Sequence, residues 1–390
     1  MHHKRKIGIL TGGGDTQPLN AVVFLLRNLL RRSGIDFIGF TRGWQGVLSG
    51  SFVDLHAVPD YGRVGGTYLR SSRVNLASGE GFEKANRNLA DLGIDCLVVI
   101  GGDDTLSNVY GIESVPCIAV AKTIDNDAGS LSVRRGRIRA RNYFTLGYPT
   151  AAEKIARFVS PEEGVRTTAY SHERVVVVES MGMQAGWLAA ASAFGKPDLI
   201  LIPEFPLVYG RFLERLKSAY SKNRHAVVVV AEGVRFFDGR ALASKTAETD
   251  AFGNPRFGGA AEALAGRLKA DLVDFMDARN VNAVNPAYWY RSGAPNALDR
   301  LAAGRIAGRC HRLVSGRLPR KHRFVCLDRA GGKFEAGDCA FDEFPRTSGG
   351  RFPKRFVDPS FYDPEMHTMT DLWTEYLKPI VSFRSKRDIY

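Results

Sequence analysis

The 390-residue chain is 44% hydrophobic and 24% charged, the balance of a soluble globular protein long enough for two α/β lobes rather than one minimal core. No run of about eighteen apolar residues occurs, and the opening MHHKRKIGIL leads straight into a strand-like segment without a signal-peptide pattern. A membrane partner is therefore excluded and a cytoplasmic location expected. The net charge of +13 is spread along the chain, with modest concentrations at Arg134 to Arg141 and Arg317 to Arg323. Those segments lack the interleaved aromatics of a nucleic-acid surface, so a small substrate carrying several phosphates is the partner expected.

Short apolar runs alternate with amphipathic stretches as far as about residue 235, the pattern of α/β architecture with mostly parallel sheets covered by helices. Strands are expected at Lys6 to Leu10, Asp36 to Phe40, Cys96 to Ile100, Cys117 to Ala121, Arg174 to Glu179, Leu199 to Ile202 and Ala226 to Ala231. Helices are expected at Leu19 to Arg32, Phe82 to Leu92 and Tyr209 to Lys222. The basic stretch 128–142 (AGSLSVRRGRIRARN) reads as a mobile loop, and 315–356 shows no strong periodicity. Thr368 to Tyr376 is helix-like. The division expected is 1–149 for a first lobe with the phosphoryl-donor and metal site, 150–310 for a second lobe with the sugar-phosphate site, and 311–390 for an extension packing back on the lobes or at an interface.

The five cysteines, Cys96, Cys117, Cys310, Cys326 and Cys339, form no C-x-x-C pair, and the eight histidines show no metal-ligand spacing, which argues against a disulfide framework or a zinc site.

In open parallel sheets the ligand crevice lies beyond the carboxyl ends of the strands, so the turns there hold the chemistry. Thr11-Gly12-Gly13-Gly14-Asp15 joins a strand to a helix and lets backbone N–H groups approach an anion, though it is neither a Walker A loop nor G-x-G-x-x-G. Gly101-Gly102-Asp103-Asp104 places two carboxylates at a strand end, and carboxylates with phosphate oxygens are how proteins hold Mg²⁺. Lys122-Thr123-Ile124-Asp125-Asn126-Asp127 combines a cation, a hydroxyl and carboxylates, the parts that phosphoryl transfer needs.

These turns, taken in order with Gly65-Gly66-Thr67, Ser71-Ser72-Arg73, Met181-Gly182, Ala231-Glu232-Gly233 and Arg291, resemble the motif set of the phosphofructokinase family across about residues 6 to 310. The resemblance implies two Rossmann-like lobes and a phosphotransferase acting on fructose 6-phosphate. Asp125 would take the proton from the sugar C1 hydroxyl, Thr123 would contact the transferred phosphoryl group and Arg73 would face it. Asp103 and Asp127 would serve Mg²⁺, and Gly13 and Gly14 would contact the donor. Met181, Gly182 and Glu232 would hold the sugar; Arg174, Arg279, Tyr288 and Arg291 would bind its 6-phosphate. Because the family draws the counterparts of Arg174 and Arg279 from a neighbouring subunit, a homodimer or homotetramer is implied.

Pyrophosphate-using members resemble this chain at Asp104 and Lys122, where bacterial ATP users commonly carry glycine. A carboxylate near a nucleotide α-phosphate would be repelled by about 4 kcal/mol at roughly 4 Å and an effective dielectric of about 20, and Lys122 would charge-anchor a donor without adenosine. Some positions depart from the pattern: Gln17 takes a usual proline place, Pro18 a usual glycine place, Arg70 a glycine place before Ser-Ser-Arg, and Met183 a usual arginine place. Arg70 would offer positive charge in compensation for Met183. The departures motivate a non-catalytic sugar-phosphate-binding subunit as an alternative, beside an ATP-dependent enzyme; sedoheptulose 7-phosphate presents the same C1 hydroxyl as fructose 6-phosphate.

Overall fold

The valine- and isoleucine-rich runs become the inner strands of two sheets, as expected where both faces are covered by helices. The computed structural model describes residues 4–243 and 257–386. In chain order the strands are β1 (Lys6–Thr11), β2 (Asp36–Phe40), β3 (Phe52–Asp54), β4 (Cys96–Gly101), β5 (Cys117–Thr123), β6 (Ser130–Arg134), β7 (Arg137–Arg141), β8 (Leu146–Gly147), β9 (Val175–Ser180), β10 (Leu199–Leu201), β11 (Ala226–Ala231), β12 (Val281–Val284), β13 (Arg323–Ala330) and β14 (Lys333–Ala340).

The first sheet runs β14-β13-β5-β4-β1-β2-β3, with β8 added on β5. Its centre is parallel and its two edges, β3 and β14, are antiparallel. The second sheet, β10-β11-β9-β12, is parallel throughout. Register decides where the chemistry falls. Thr11 lies beside Ile100 and Gly101 beside Ala121, so the turns after β1, β4 and β5 leave the sheet together at the carboxyl ends of its central strands. In the second sheet Ser180 pairs with Ala231, which brings Met181-Gly182 next to Glu232-Gly233.

The expected strands and helices are present, with ends shifted by a residue or two; the helices at Leu19–Arg32, Gly81–Asp91 and Tyr209–Asn223 cover the sheets. Pro18 stands immediately before Leu19 at the first of them, where its missing N–H costs no helical hydrogen bond. The five cysteines are buried and free.

The expectations for two stretches need correction. Residues 128–142 are not a mobile loop: β6 and β7 pair in full antiparallel register from Ser130–Arg141 to Arg134–Arg137. Leu131, Val133, Ile138 and Ala140 pack on the core while the alternate residues face out. The turn uses Arg135 and Gly136 at φ 50° and 71°, the left-handed pair of a two-residue hairpin. The period of two was present in the sequence but masked by its arginines. Residues 315–356, without strong periodicity, supply β13 and β14, and β13 pairs parallel with β5. Thr368–Met369 pairs with Tyr362–Asp363 as short strands, and the helix behind them is Asp371–Leu377. Its Trp373 and Tyr376 pack on Trp187 at ring-centroid distances of 5.8 and 5.5 Å.

Candidate active site

The aligned strand ends enclose one cleft. It is lined by Gly13, Gly14 and Asp15 from the first turn, Arg73 from the segment that follows β3, Asp103 and Asp104 after β4, Lys122 and Thr123 at the end of β5 with Asp125 just beyond, and Met181, Met183, Glu232 and Arg291 from the second sheet's side. Most residues singled out from the sequence thus meet in one place. Asp127 lies just behind, buried, and the others divide as follows. Arg174 donates to Thr168 Oγ1 at 3.1 Å and lies outside the cleft. Arg279 is exposed and paired with Asp277 at 2.7 Å. Tyr288 is 66% exposed, stacked 4.4 Å from the Arg291 guanidinium. Gly182 is not itself a lining residue but joins the wall through its N–H to Glu232.

The glycine turn is held open by its neighbours. Gly12 N donates to Ile100 O at 2.9 Å and Gly13 N to Ser72 O at 3.2 Å, so the Gly13 N–H is already engaged by the Ser71-Ser72-Arg73 segment. A Cβ at Gly14 would meet Arg291 Nη1 at 2.8 Å; the missing side chain lets the arginine close in, and Arg291 Nε lies 3.3 Å from Asp15 Oδ1. Lys122 is fully buried beneath the turn and donates to Gly12 O at 2.8 Å and also to Gly14 O. Burial lowers its pKa to about 8, against the pull of Asp15.

Asp103 and Asp104 open the short helix Asp103–Ser107 behind Gly102, where carboxylates suit the positive end of the backbone dipoles. After β5 the chain turns sharply: Asp125 N donates to Thr123 Oγ1 at 3.0 Å, and Asn126 adopts φ 55°. The Asn126 side chain pins this conformation, donating to Tyr376 Oη at 2.8 Å and accepting from Thr145 N at 3.1 Å. Burial raises the pKa values of both Asp125 and Asp127 well above the usual carboxylate range; the next largest contributions are the charge of Glu232 for the former and of Asp103 for the latter.

Glu232 Oε1 accepts from Gly182 N at 3.1 Å and Met183 N at 2.8 Å. Burial raises its pKa while those two N–H groups oppose the shift. Met183 reaches them at φ 51°, and a Cβ on Gly233 would lie 1.9 Å from Met183 O, so the Met-Gly-Met turn and Glu232-Gly233 fit only as a unit.

Sequence reasoning missed three side chains. Gln17 is fully buried and its Nε2 donates to Tyr290 O at 2.6 Å and Ser292 O at 3.3 Å, tying the first turn to the segment that carries Arg291. Arg355, also buried, donates to Asn126 O at 2.6 Å and Asn142 O at 2.7 Å. Lys354 places its ammonium 3.0 Å from Asp103 Oδ2 and 3.6 Å from Asp127 Oδ2, and those carboxylates raise its pKa against burial. The departure of Gln17 from the family pattern was the one signal available; the segment around Lys354 gave none. Arg70, at φ 61°, keeps the backbone geometry for which glycine is usual, and its side chain lines a separate cavity with Thr41, Arg42, Gln45 and Tyr68. The expected compensation for Met183 is therefore not made from inside the cleft.

Asp103 and Asp127 converge on one cation, and that fits Mg²⁺, which takes one or two protein carboxylates and completes its shell with water and phosphate oxygens. Among the described residues no set of three or more His, Cys, Asp or Glu side chains is arranged as a metal cage, and among them no helix is long and apolar enough to cross a membrane.

The family model for phosphofructokinase matches residues 6–314. The chain belongs to the phosphofructokinase family. As a member it is an enzyme, a phosphotransferase, and the likeness extends to named relatives. It is 36% identical to the pyrophosphate–fructose 6-phosphate 1-phosphotransferase of Amycolatopsis mediterranei over 77% of this chain and 84% of the relative. It is 37% identical to the enzyme of the same name from Streptomyces coelicolor, over the same shares. It is also 36% identical to an ATP-dependent 6-phosphofructokinase 2 of Streptomyces coelicolor, over 77% and 85%. The fold matches the crystal structure of a pyrophosphate-dependent phosphofructokinase from Nitrosospira multiformis, with a TM-score of 0.80, 19% identity, and coverage of 99% of this chain and 95% of that one.

Proposed function

We propose that this phosphofructokinase uses pyrophosphate to phosphorylate the C1 hydroxyl of fructose 6-phosphate, reversibly and in the cytoplasm. One observation carries the reading: Asp104 and Lys122, the two donor-selecting positions, line the same cleft as Thr123 and Asp125. There Asp104 opposes the additional phosphate and nucleoside of ATP by charge and bulk, while Lys122 offers a cation to a donor that has no adenosine to anchor it. The named pyrophosphate relatives support the same choice.

Asp125 accepts the proton of the C1 hydroxyl, for which its raised pKa suits it, being closer to the working pH than an ordinary carboxylate. Thr123 and Arg73 face the phosphoryl group in transfer. Lys122 balances charge on the departing phosphate, and Arg291 meets the acceptor's 6-phosphate with the Tyr288 ring against it. Glu232 fixes the Met181-Gly182-Met183 turn against the sugar. Mg²⁺, when held by Asp103 and Asp127, supplies charge neutralisation to the phosphates. Arg174 and Arg279 stand outside the cleft, which supports a homo-oligomer in which a second chain provides them.

The test is a coupled assay of the purified protein with fructose 6-phosphate and Mg²⁺, comparing pyrophosphate, ATP and no donor. Fructose 1,6-bisphosphate formed from pyrophosphate and not from ATP is the result expected. Turnover of ATP alone replaces the donor assignment with the ATP-dependent reading, which the ATP-using relative favours; turnover of neither points to the binding subunit. Sedoheptulose 7-phosphate as a parallel acceptor defines the sugar range.

A further inference from the structure

We infer that Lys354 is a positioning residue of the metal site: its ammonium occupies the point between Asp103 and Asp127, so that a divalent cation binds well only when the donor arrives with it. The inference rests on the reading of Asp103 and Asp127 as the Mg²⁺ carboxylates.

The backbone around Lys354 is fixed on both sides. Phe352 N donates to Ser107 Oγ at 2.8 Å, and that hydroxyl donates to Asp103 O at 2.6 Å. Lys354 forms a β-bridge with Ala128, and Arg355 N donates to Asp127 O at 2.7 Å. The strand segment thus stitches together the two turns that carry the carboxylates, although it lies beyond the 6–314 family match. Its side chain is nearly buried, at 14% exposure, and Asp103 and Asp127 at 12% and 5%.

A fixed backbone with a long, flexible stem allows the ammonium to respond while the frame stays in place. With no donor bound, its charge is paired with both carboxylates, at 3.0 and 3.6 Å, and an incoming divalent cation meets a like charge. Pyrophosphate brings negative oxygens to the same cleft, on which the displaced ammonium finds new acceptors. Metal and donor therefore enter together, and the carboxylates are not left as an empty anionic trap for divalent ions.

Binding of Mn²⁺, followed by the electron paramagnetic resonance of the free ion, tests this on the full-length protein. In the absence of donor, K354M is expected to bind Mn²⁺ more tightly than wild type by on the order of tenfold or more, and K354R to bind as weakly as wild type. With imidodiphosphate, a non-transferable pyrophosphate analogue, the gap is expected to narrow. Equal or weaker binding by K354M, tight binding by K354R, or an unchanged gap with imidodiphosphate overturns the inference. D103N separates the two layers: if it leaves Mn²⁺ binding intact, the metal reading itself fails; if it abolishes binding while K354M changes nothing, only the role of Lys354 fails. Should K354M not fold, thermal melting of the wild type decides. A melting temperature unmoved by millimolar Mg²⁺ alone but raised by Mg²⁺ with imidodiphosphate supports the inference, and a clear rise with Mg²⁺ alone overturns it.

Discussion

Lys122 donates its ammonium to the Gly12 carbonyl at 2.8 Å, so the cation predicted to serve the donor also braces the glycine turn against which the donor lies. Its pKa, depressed by burial from 10.5 to about 8, makes this brace sensitive to pH. kcat/KM is expected to fall as pH rises through about 8, and Lys122→Arg to move that limb upward because arginine stays protonated. The stability effect has the opposite sign: the folded state binds fewer protons on Lys122 than the unfolded state between these two values, so its contribution becomes more favourable as pH rises through the window. A pH–rate profile set beside melting temperatures separates the two.

Replacing Asp125 with alanine removes the proposed proton acceptor from the centre of the cleft. kcat is expected to fall by about 10²- to 10⁴-fold, with sugar-phosphate binding, measured by calorimetry, changed far less. A loss confined to KM assigns Asp125 to binding instead.

The double substitution Asp104→Gly with Lys122→Gly tests donor choice. Removing a carboxylate whose repulsion of a third phosphate is worth up to about 4 kcal/mol is expected to raise the ratio of ATP to pyrophosphate turnover by at least about tenfold. An unchanged ratio in steady-state assays counts against these positions as the selector.

Gln17→Leu leaves the carbonyl of the buried Tyr290 without its donor, whereas the Ser292 carbonyl keeps the Lys154 ammonium at 2.7 Å, a cost of about 1–3 kcal/mol in denaturant unfolding. Because the lost bonds hold the segment that carries Arg291, KM for fructose 6-phosphate is expected to rise while KM for pyrophosphate stays near that of the wild type. Equal shifts in both would show a general loosening.

Asp299, buried in the helix Ala297–Ser315, accepts from Gly147 N at 2.8 Å, Thr150 N at 3.0 Å and the Thr150 hydroxyl. Asp299→Ala is expected to destabilise the fold by about 2–3 kcal/mol. Burial raises the Asp299 pKa from 3.8 to about 6, so the folded state binds more protons in that window and its stabilising share declines as pH rises across it. The variant's melting curve should lose that part of the pH slope.

The sequence by itself determined the α/β class, nearly all central strands and the strand-end turns that line the cleft, because apolar runs and glycine-acid turns are local signals with fixed geometric meaning. It also carried the hairpin at Ser130–Arg141 in its alternation, though the arginines disguised it. Only the tertiary structure decided that Gln17 joins the first turn to Tyr290 and Ser292, that Arg70 faces away from the cleft, and that residues 315–356 add two strands to the first sheet. Lys354 is the clearest case. Nothing local distinguishes it from the other basic residues of its segment; its place between Asp103 and Asp127 follows from long-range pairing of backbones, and such pairing depends on which surfaces the rest of the fold leaves adjacent.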